Sequence, residues 1–329
     1  MSKPYASLSL DLDNLWAYQM THGDPDWTDY GSYLDVLVPL VLDELDRLKL
    51  RITFFVVGQD AALDKNRAAI KALSDAGHEI ANHSFRHQPW LHRYTRDEID
   101  TELANAEQAI ADVTGQRTVG FRGPGYSLSA DVLDVLLDRG YAYDCSTLPT
   151  VIGPLARWYY FRSAKLTDEQ RAERSTLFGG AREGLRPLKP YEWRVGERKI
   201  LEIPVTTMPI VRVPMHVSYV LYFAGVSPAL GRAYFASALR VCRLRGVAPS
   251  ILLHPLDFLG SDDVSELGFF PAMGMTGARK RTVARACLAE LAKQFEVVPM
   301  IEHARRASAK GSLSTVDCGR AGPVLERVR

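Results

Sequence analysis

Short apolar runs of β-forming residues alternate with amphipathic stretches from the N-terminus onward. Ala6–Asp13 predicts a first strand, and Tyr33–Leu48 a helix, with Leu34, Val38, Val41 and Leu45 on one face. Arg51–Val57 is a nearly unbroken β-branched and aromatic run, the pattern of a strand covered on both faces. Helix is predicted from there to about Ala76. His78–His83 predicts a third strand, and Thr95–Val113 a helix with Thr95 as N-cap and Glu98 completing a capping box. Thr118–Phe121, Ala142–Asp144, Leu201–Val205, Ile251–His254 and Phe295–Val298 predict further strands, mostly separated by helices. This order implies an α/β chain with seven or eight parallel strands in a barrel-like sheet. Chemistry on such sheets gathers at the C-terminal strand ends.

Two segments interrupt the alternation. Residues 149–199 are rich in aromatics (Trp158, Tyr159, Tyr160, Phe161, Tyr191, Trp193) and carry eleven Lys/Arg against six Asp/Glu, a local positive excess. Residues 206–245 include the apolar stretch Val213–Leu244, whose uncharged part Val213–Gly231 is interrupted by Pro214, His216, Gly225 and Pro228, which argue against a membrane-spanning helix. The expected organisation is one barrel over residues 1–305 carrying these two insertions, with 306–329 as a loose tail.

Composition narrows the function classes. The chain has 329 residues, 47% of them hydrophobic, enough for a large core. Forty Lys+Arg face 39 Asp+Glu, so no global basic field marks a nucleic-acid binder. Cys145, Cys242, Cys287 and Cys318 are scattered without metal-ribbon spacing, and Asp11 follows too soon after Lys3 for an apolar signal core. A reducing, cytoplasmic compartment is the expectation.

Polar residues recur at the predicted strand ends. Asp11 and Asp13 are two apart, so a strand directs both carboxylates to one side. By itself such a pair is equally an exposed turn. His83-Ser-Phe-Arg-His87 brings two imidazoles within reach of one metal, although eight histidines in this chain give about 0.2 such pairs by chance. With Asp13 they form a two-His-one-carboxylate set that leaves coordination positions open for water. Gly120-Phe-Arg-Gly-Pro-Gly-Tyr126 places Arg122 where it can pair with a carboxylate, and its glycines let backbone N–H groups face a pocket. Tyr143-Asp144 and Leu252-Leu-His254 end two later strands. Five independent coincidences explain this set poorly.

In this order the motifs resemble those of the polysaccharide deacetylase family, also called the NodB-homology or carbohydrate esterase 4 family. The matching elements are Ser9-Leu-Asp-Leu-Asp13, His83-Ser-Phe-Arg-His87, Arg122-Gly-Pro-Gly125, Tyr143-Asp144 and Leu252-Leu-His254, spanning about residues 5–145 and 249–300. The resemblance implies a distorted (β/α)7–8 barrel with one divalent metal held by Asp13, His83 and His87. Zn2+ is the first expectation, with Co2+, Ni2+ or Fe2+ as alternatives. It further implies Asp11 as general base, Arg122 as its orienting partner, His254 as general acid and Asp144 as the group that orients His254. Backbone N–H near Gly125 and Tyr126 would receive the oxyanion. Leu12 separates two aspartates that are usually adjacent in the family, and Cys145 follows Asp144 where tryptophan is common.

The implied activity is hydrolysis of an N-acyl, normally N-acetyl, group on an amino sugar. The basic aromatic insertion and the apolar stretch would suit a polyprenyl-linked sugar at the inner membrane face; packing on the barrel is the other reading of both. A small soluble amide is the alternative substrate, and a non-catalytic carbohydrate-binding relative the remaining alternative.

Overall fold

The computed structural model describes residues 3–153, 181–270, 272–311 and 313–321, with residues 155, 158, 162, 164, 166–168 and 171 between them. Ten strands form one sheet among the described residues: β1 (Tyr5–Asp11), β2 (Thr53–Val56), β3 (Glu79–Asn82), β4 (Gly120–Phe121), β5 (Tyr143–Asp144), β6 (Tyr191–Val195), β7 (Arg198–Glu202), β8 (Ser250–Leu253), β9 (Glu296–Val298) and β10 (Thr315–Asp317). Their order is β10-β6-β7-β5-β4-β3-β2-β1-β8, with β9 also pairing with β1. The run from β7 to β8 is parallel throughout. Beyond β7 the chain curls round to β8: Thr206 N–H donates to the Ser250 carbonyl at 3.0 Å, and Ser250 N–H to Thr206 Oγ1 at 2.8 Å. The sheet is therefore a distorted barrel, as the alternation of elements predicts.

The register places the motif residues on one rim. Asp11 is opposite Phe55, Phe55 opposite Ala81, Asn82 opposite Phe121, and Phe121 opposite Asp144. Leu10 is opposite Leu253, so Asp11 and His254 follow at adjacent strand ends. Phe55, Ala81, Tyr143, Cys145, Leu201 and Ile203 form one apolar cluster, closed by Met300 and Ala304. A larger cluster joins Leu8 and Leu10 of β1 to the helices Leu34–Arg47, Val217–Val226, Pro228–Leu244 and Gly277–Gln294.

Three expectations change. The helix expected to run to Ala76 is two, Gly58–Ala62 and Asp64–Asp75, because Leu63 is extended. Within 149–199, Tyr191–Val195 and Arg198–Glu202 form an antiparallel hairpin, turning at Gly196 with φ 58°. Among the described residues, two cations of that segment pair with distant acids: Arg198 with Asp134 and Asp138, and Arg194 with Asp317 at 2.6 Å. Tyr159, Tyr160 and Phe161 lie outside the described residues. The tail is partly structured, since Met300–Ala309 is helix and Thr315–Asp317 adds to the open edge of β6.

The apolar stretch from Val213 supplies much of the core, while Tyr222, Val226, Leu230 and Leu244 within it are exposed. Met215, Val217, Val220, Leu221, Ala224, Phe235 and Leu239 are all buried in the main cluster. All four cysteines are unpaired and buried. No helix among the described residues is long and apolar enough to cross a membrane.

Candidate active site

β1 delivers Asp11 as its last residue and Asp13 two positions later, both under a tenth exposed. Asp13 is fixed from behind: the Tyr33 hydroxyl donates to its carbonyl at 2.5 Å. Next to it Asn14 caps the helix Leu15–His22, accepting Leu15 N–H at 2.9 Å, and donates to Asp60 Oδ1 at 2.7 Å.

His83 and His87 sit on the loop after β3. Asn82 accepts the Ser84 N–H at 2.8 Å, and Glu102 accepts Arg86 N–H at 2.9 Å and Phe85 N–H at 3.2 Å. These bonds hold Ser84 and His87 at φ 60° and 51°, in the left-handed region where non-glycine residues are uncommon. Both imidazole Nε2 atoms then meet Asp13 Oδ1, His83 at 3.3 Å and His87 at 3.0 Å. Burial alone would raise the Asp13 carboxyl, but His87 and His83 outweigh it and hold Asp13 well below the usual range.

The three ligand atoms lie within 4.8 Å of one another. Asp13 Oδ1 is buried with no hydrogen-bond donor. His83 Nδ1 lies 2.6 Å from the Arg122 carbonyl and donates to it, so in the neutral ring Nε2 is the atom free to bind a cation beside Asp13. A buried acceptor cluster of two imidazoles and one carboxylate fits a divalent cation such as zinc.

Arg122 follows β4 and is fully buried. It donates through Nη1 to Asp11 Oδ1 at 2.5 Å and to Ser9 Oγ at 3.0 Å, and through Nε to the Cys145 carbonyl at 3.2 Å. Its guanidinium lies 4.1 Å from the centroid of the Phe55 ring. Burial opposes the Arg122 charge, yet the neighbouring Asp11 carboxylate raises its pKa above the ordinary value. Gly123 and Gly125 shape the next turn. A Cβ on Gly123 would stand 2.1 Å from the Ser127 carbonyl oxygen, and Gly125 has φ 58°. Tyr126 N–H donates to the Gly123 carbonyl at 2.9 Å, so it is already committed to the turn.

His254 follows β8 and is only part-buried. Its Nδ1 lies 3.1 Å from Ser218 Oγ. Asp144, expected beside it, points elsewhere: it accepts Ser146 Oγ–H at 2.6 Å and is opposite Glu202 in the sheet. The physical reason is alternation. Tyr143 and Cys145 belong to the barrel cluster, so Asp144 between them projects from the opposite face. Sequence reasoning missed Ser218, Asp257 and His216. The spacing in His254-Pro-Leu-Asp257 is a cap-like signal for Asp257, whereas nothing in the sequence singles out Ser218.

A parallel α/β barrel with a carboxylate-imidazole cluster of metal-binding type at its C-terminal rim is the class that fold and site define. Residues 28–143 match the profile described as polysaccharide deacetylase, a span that holds His83, His87 and Arg122 but not Asp11, Asp13 or His254. Over that span the chain is similar to the polysaccharide deacetylase family. It is similar to the peptidoglycan deacetylase of Helicobacter pylori, 27% identical over 46% of this chain and 51% of that one. It is also similar to the peptidoglycan-N-acetylmuramic acid deacetylase of Bacillus subtilis, 36% identical over 34% of this chain and 41% of that one. The chain thus spans about half the length of the curated relatives it matches. A crystal structure from Mycobacterium smegmatis, described as being of this kind, shares the fold with TM-score 0.59 and 20% identity, over 96% of this chain and 98% of that one.

Proposed function

We propose that this chain is a metal-dependent hydrolase that removes an N-acyl group, normally acetyl, from an amino sugar. The observation that carries this reading is the buried Asp11–Arg122 pair set against the Asp13/His83/His87 cluster, with His254 at the next strand end. A dication held by Asp13, His83 and His87 supplies Lewis acidity that makes water acidic near neutral pH and offsets charge on the acyl oxygen.

The chain's own groups do the rest. Asp11, whose Oδ2 is 4.0 Å from His83 Nε2, takes the proton of the attacking water. Arg122 fixes that carboxylate through a charge-assisted bond. The Gly125 N–H is the donor for the oxyanion: it lies inside the Pro124–Tyr126 turn, whose own bond to the Gly123 carbonyl uses the Tyr126 N–H. His254 protonates the departing amine, and because it is part-buried it remains reachable by substrate.

The test is His254→Ala with zinc analysis. A fall of about 10²–10⁴ in kcat for acetate release from an acetamido sugar, with metal content kept, supports the assignment. Loss of the metal in that variant refutes it.

A lipid-linked amino sugar is the finer reading, and one observation favours it. A groove of about 700 Å³, lined by Lys189, Ile210, Arg212, Leu244 and Arg245 among others, sets cations beside exposed aliphatic groups. Ile210 is 74% and Leu244 85% exposed. That pairing suits an anionic membrane surface, and with it a cytoplasmic, peripheral location. Co-sedimentation with anionic but not neutral vesicles, abolished by Ile210→Ser with Leu244→Ser, is the expected result. Indifference to both vesicle types leaves the soluble amino sugar or small amide as substrate.

A further inference from the structure

We infer that Ser218 and Asp257 are the positioning residues of His254, a role that the family's motif order assigns to Asp144. The inference rests on the proposed role of His254 as the acid.

The geometry begins at the end of β8. His254 caps the short turn Pro255–Asp257, and the two ends of that turn are tied together. His254 N–H donates to Asp257 Oδ2 at 2.9 Å, while Asp257 N–H donates to the His254 carbonyl at 3.0 Å. The other Asp257 oxygen, Oδ1, accepts the Ser218 hydroxyl at 2.7 Å, and Ser218 Oγ lies 3.1 Å from His254 Nδ1. A serine hydroxyl has one proton, and here the carboxylate takes it. Ser218 Oγ must therefore accept from His254 Nδ1–H. This chain of bonds fixes the tautomer and the ring plane, leaving Nε2 as the nitrogen that works on substrate. It has the logic of a carboxylate-backed imidazole with a hydroxyl interposed.

The surroundings are built for that arrangement. Asp257 is fully buried, and Lys280 anchors the same turn, its Nζ donating to the Leu256 and Leu259 carbonyls at 2.9 Å each. Burial raises the Asp257 carboxyl, while His254, Ser218 and Lys280 act to keep it ionised. On the other side His216 presents a buried ring 5.7 Å from that of His254. Burial first, then His254 and Arg122, hold His216 well below its ordinary value, so a neutral ring faces the acid. Tyr219 packs edge-on against His216, and the phenol of Tyr18 feels the Asp257 charge. Ser218 and His216 both come from the 206–245 segment, which thus completes the active site as well as the core.

The experiment uses the full chain loaded with zinc and assayed on an aryl acetamide or acetyl ester. Asp257→Asn should lower kcat about 10²-fold and Ser218→Ala about 10-fold, with KM and zinc content unchanged and Ser218→Thr restoring activity. Removing the carboxylate removes an attraction that favours the imidazolium, so the alkaline limb of the kcat profile should move to lower pH. A second readout is independent of turnover: 15N shifts of His254 should report a proton on Nδ1 in the parent and its loss from Nδ1 in Asp257→Asn, where an amide NH2 can turn the Ser218 hydroxyl towards the ring. Parent-like kcat, pH profile and 15N shifts in both variants would overturn the inference, as would an Asp144→Asn variant that alone reproduced the shift of the limb. If the tautomer changes as described but the parent releases no acetate from any probe, the proposed function fails and the positioning stands.

Discussion

His83 Nδ1 lies 2.6 Å from the carbonyl oxygen of Arg122, the residue whose guanidinium also holds Asp11. One residue therefore orients a metal-type ligand through its backbone and the candidate base through its side chain. Cluster and base are mechanically linked across β3 and β4.

That linkage makes Arg122 irreplaceable even by another cation. Lysine lacks the planar fork that reaches Asp11, Ser9 and the Cys145 carbonyl together. Arg122→Lys should fold and keep zinc, because the backbone carbonyl remains, but lose about 10²-fold in kcat through a misplaced base. Kinetics alongside zinc stoichiometry check this; parent-like kcat would show that Asp11 needs no fork.

Asp13 is the point where both imidazoles meet. Asp13→Ala should bind zinc substoichiometrically and lose activity. Chelation of the parent should abolish turnover and lower Tm, since a ligand bound only to the folded state stabilises it. Stoichiometric zinc retained in Asp13→Ala contradicts the ligand set.

Asp60 couples pH to stability beneath the site. Burial raises its carboxyl to about 7, although Asn14 and Trp16 donate to its Oδ1 at 2.7 and 3.0 Å. The unfolded value is about 3.9. Between the two the folded state holds a proton that the unfolded state has lost, so stability falls as pH rises from 4 towards 7. In the metal-free protein Asp60→Asn, which mimics the neutral form, should flatten that part of the Tm–pH curve. An unchanged slope would place the pH dependence elsewhere.

Gly125 combines φ 58° with a Cβ position 2.9 Å from Pro89 Cβ. Gly125→Ala should cost about 1–3 kcal/mol in denaturant unfolding and depress kcat by shifting the oxyanion donor. Gly115→Ala, also at positive φ (69°) but with nothing within 4 Å, is the control: it should lose stability and leave kcat alone.

Much of this protein was written locally. The strand at Thr53–Val56 and the helix capped by Thr95 and Glu98 follow from period and cap chemistry, because each depends on neighbours a few residues away. Asp11, Asp13, His83, His87, Arg122 and His254 stood out as polar residues at predicted strand ends, and their roles rested on the resemblance of those motifs to a known family. Tertiary structure decided what depends on partners distant in sequence. Which face Asp144 takes depends on the register of β5 between β4 and β7, so its carboxylate went to Ser146 and Glu202. The edge of β6 drew in Thr315–Asp317, and acids on another helix neutralised Arg198. Ser218 reached His254 across 36 residues of sequence. A single hydroxyl in an apolar helix carries no local signal, and only the packing of that helix on β8 gives it a partner.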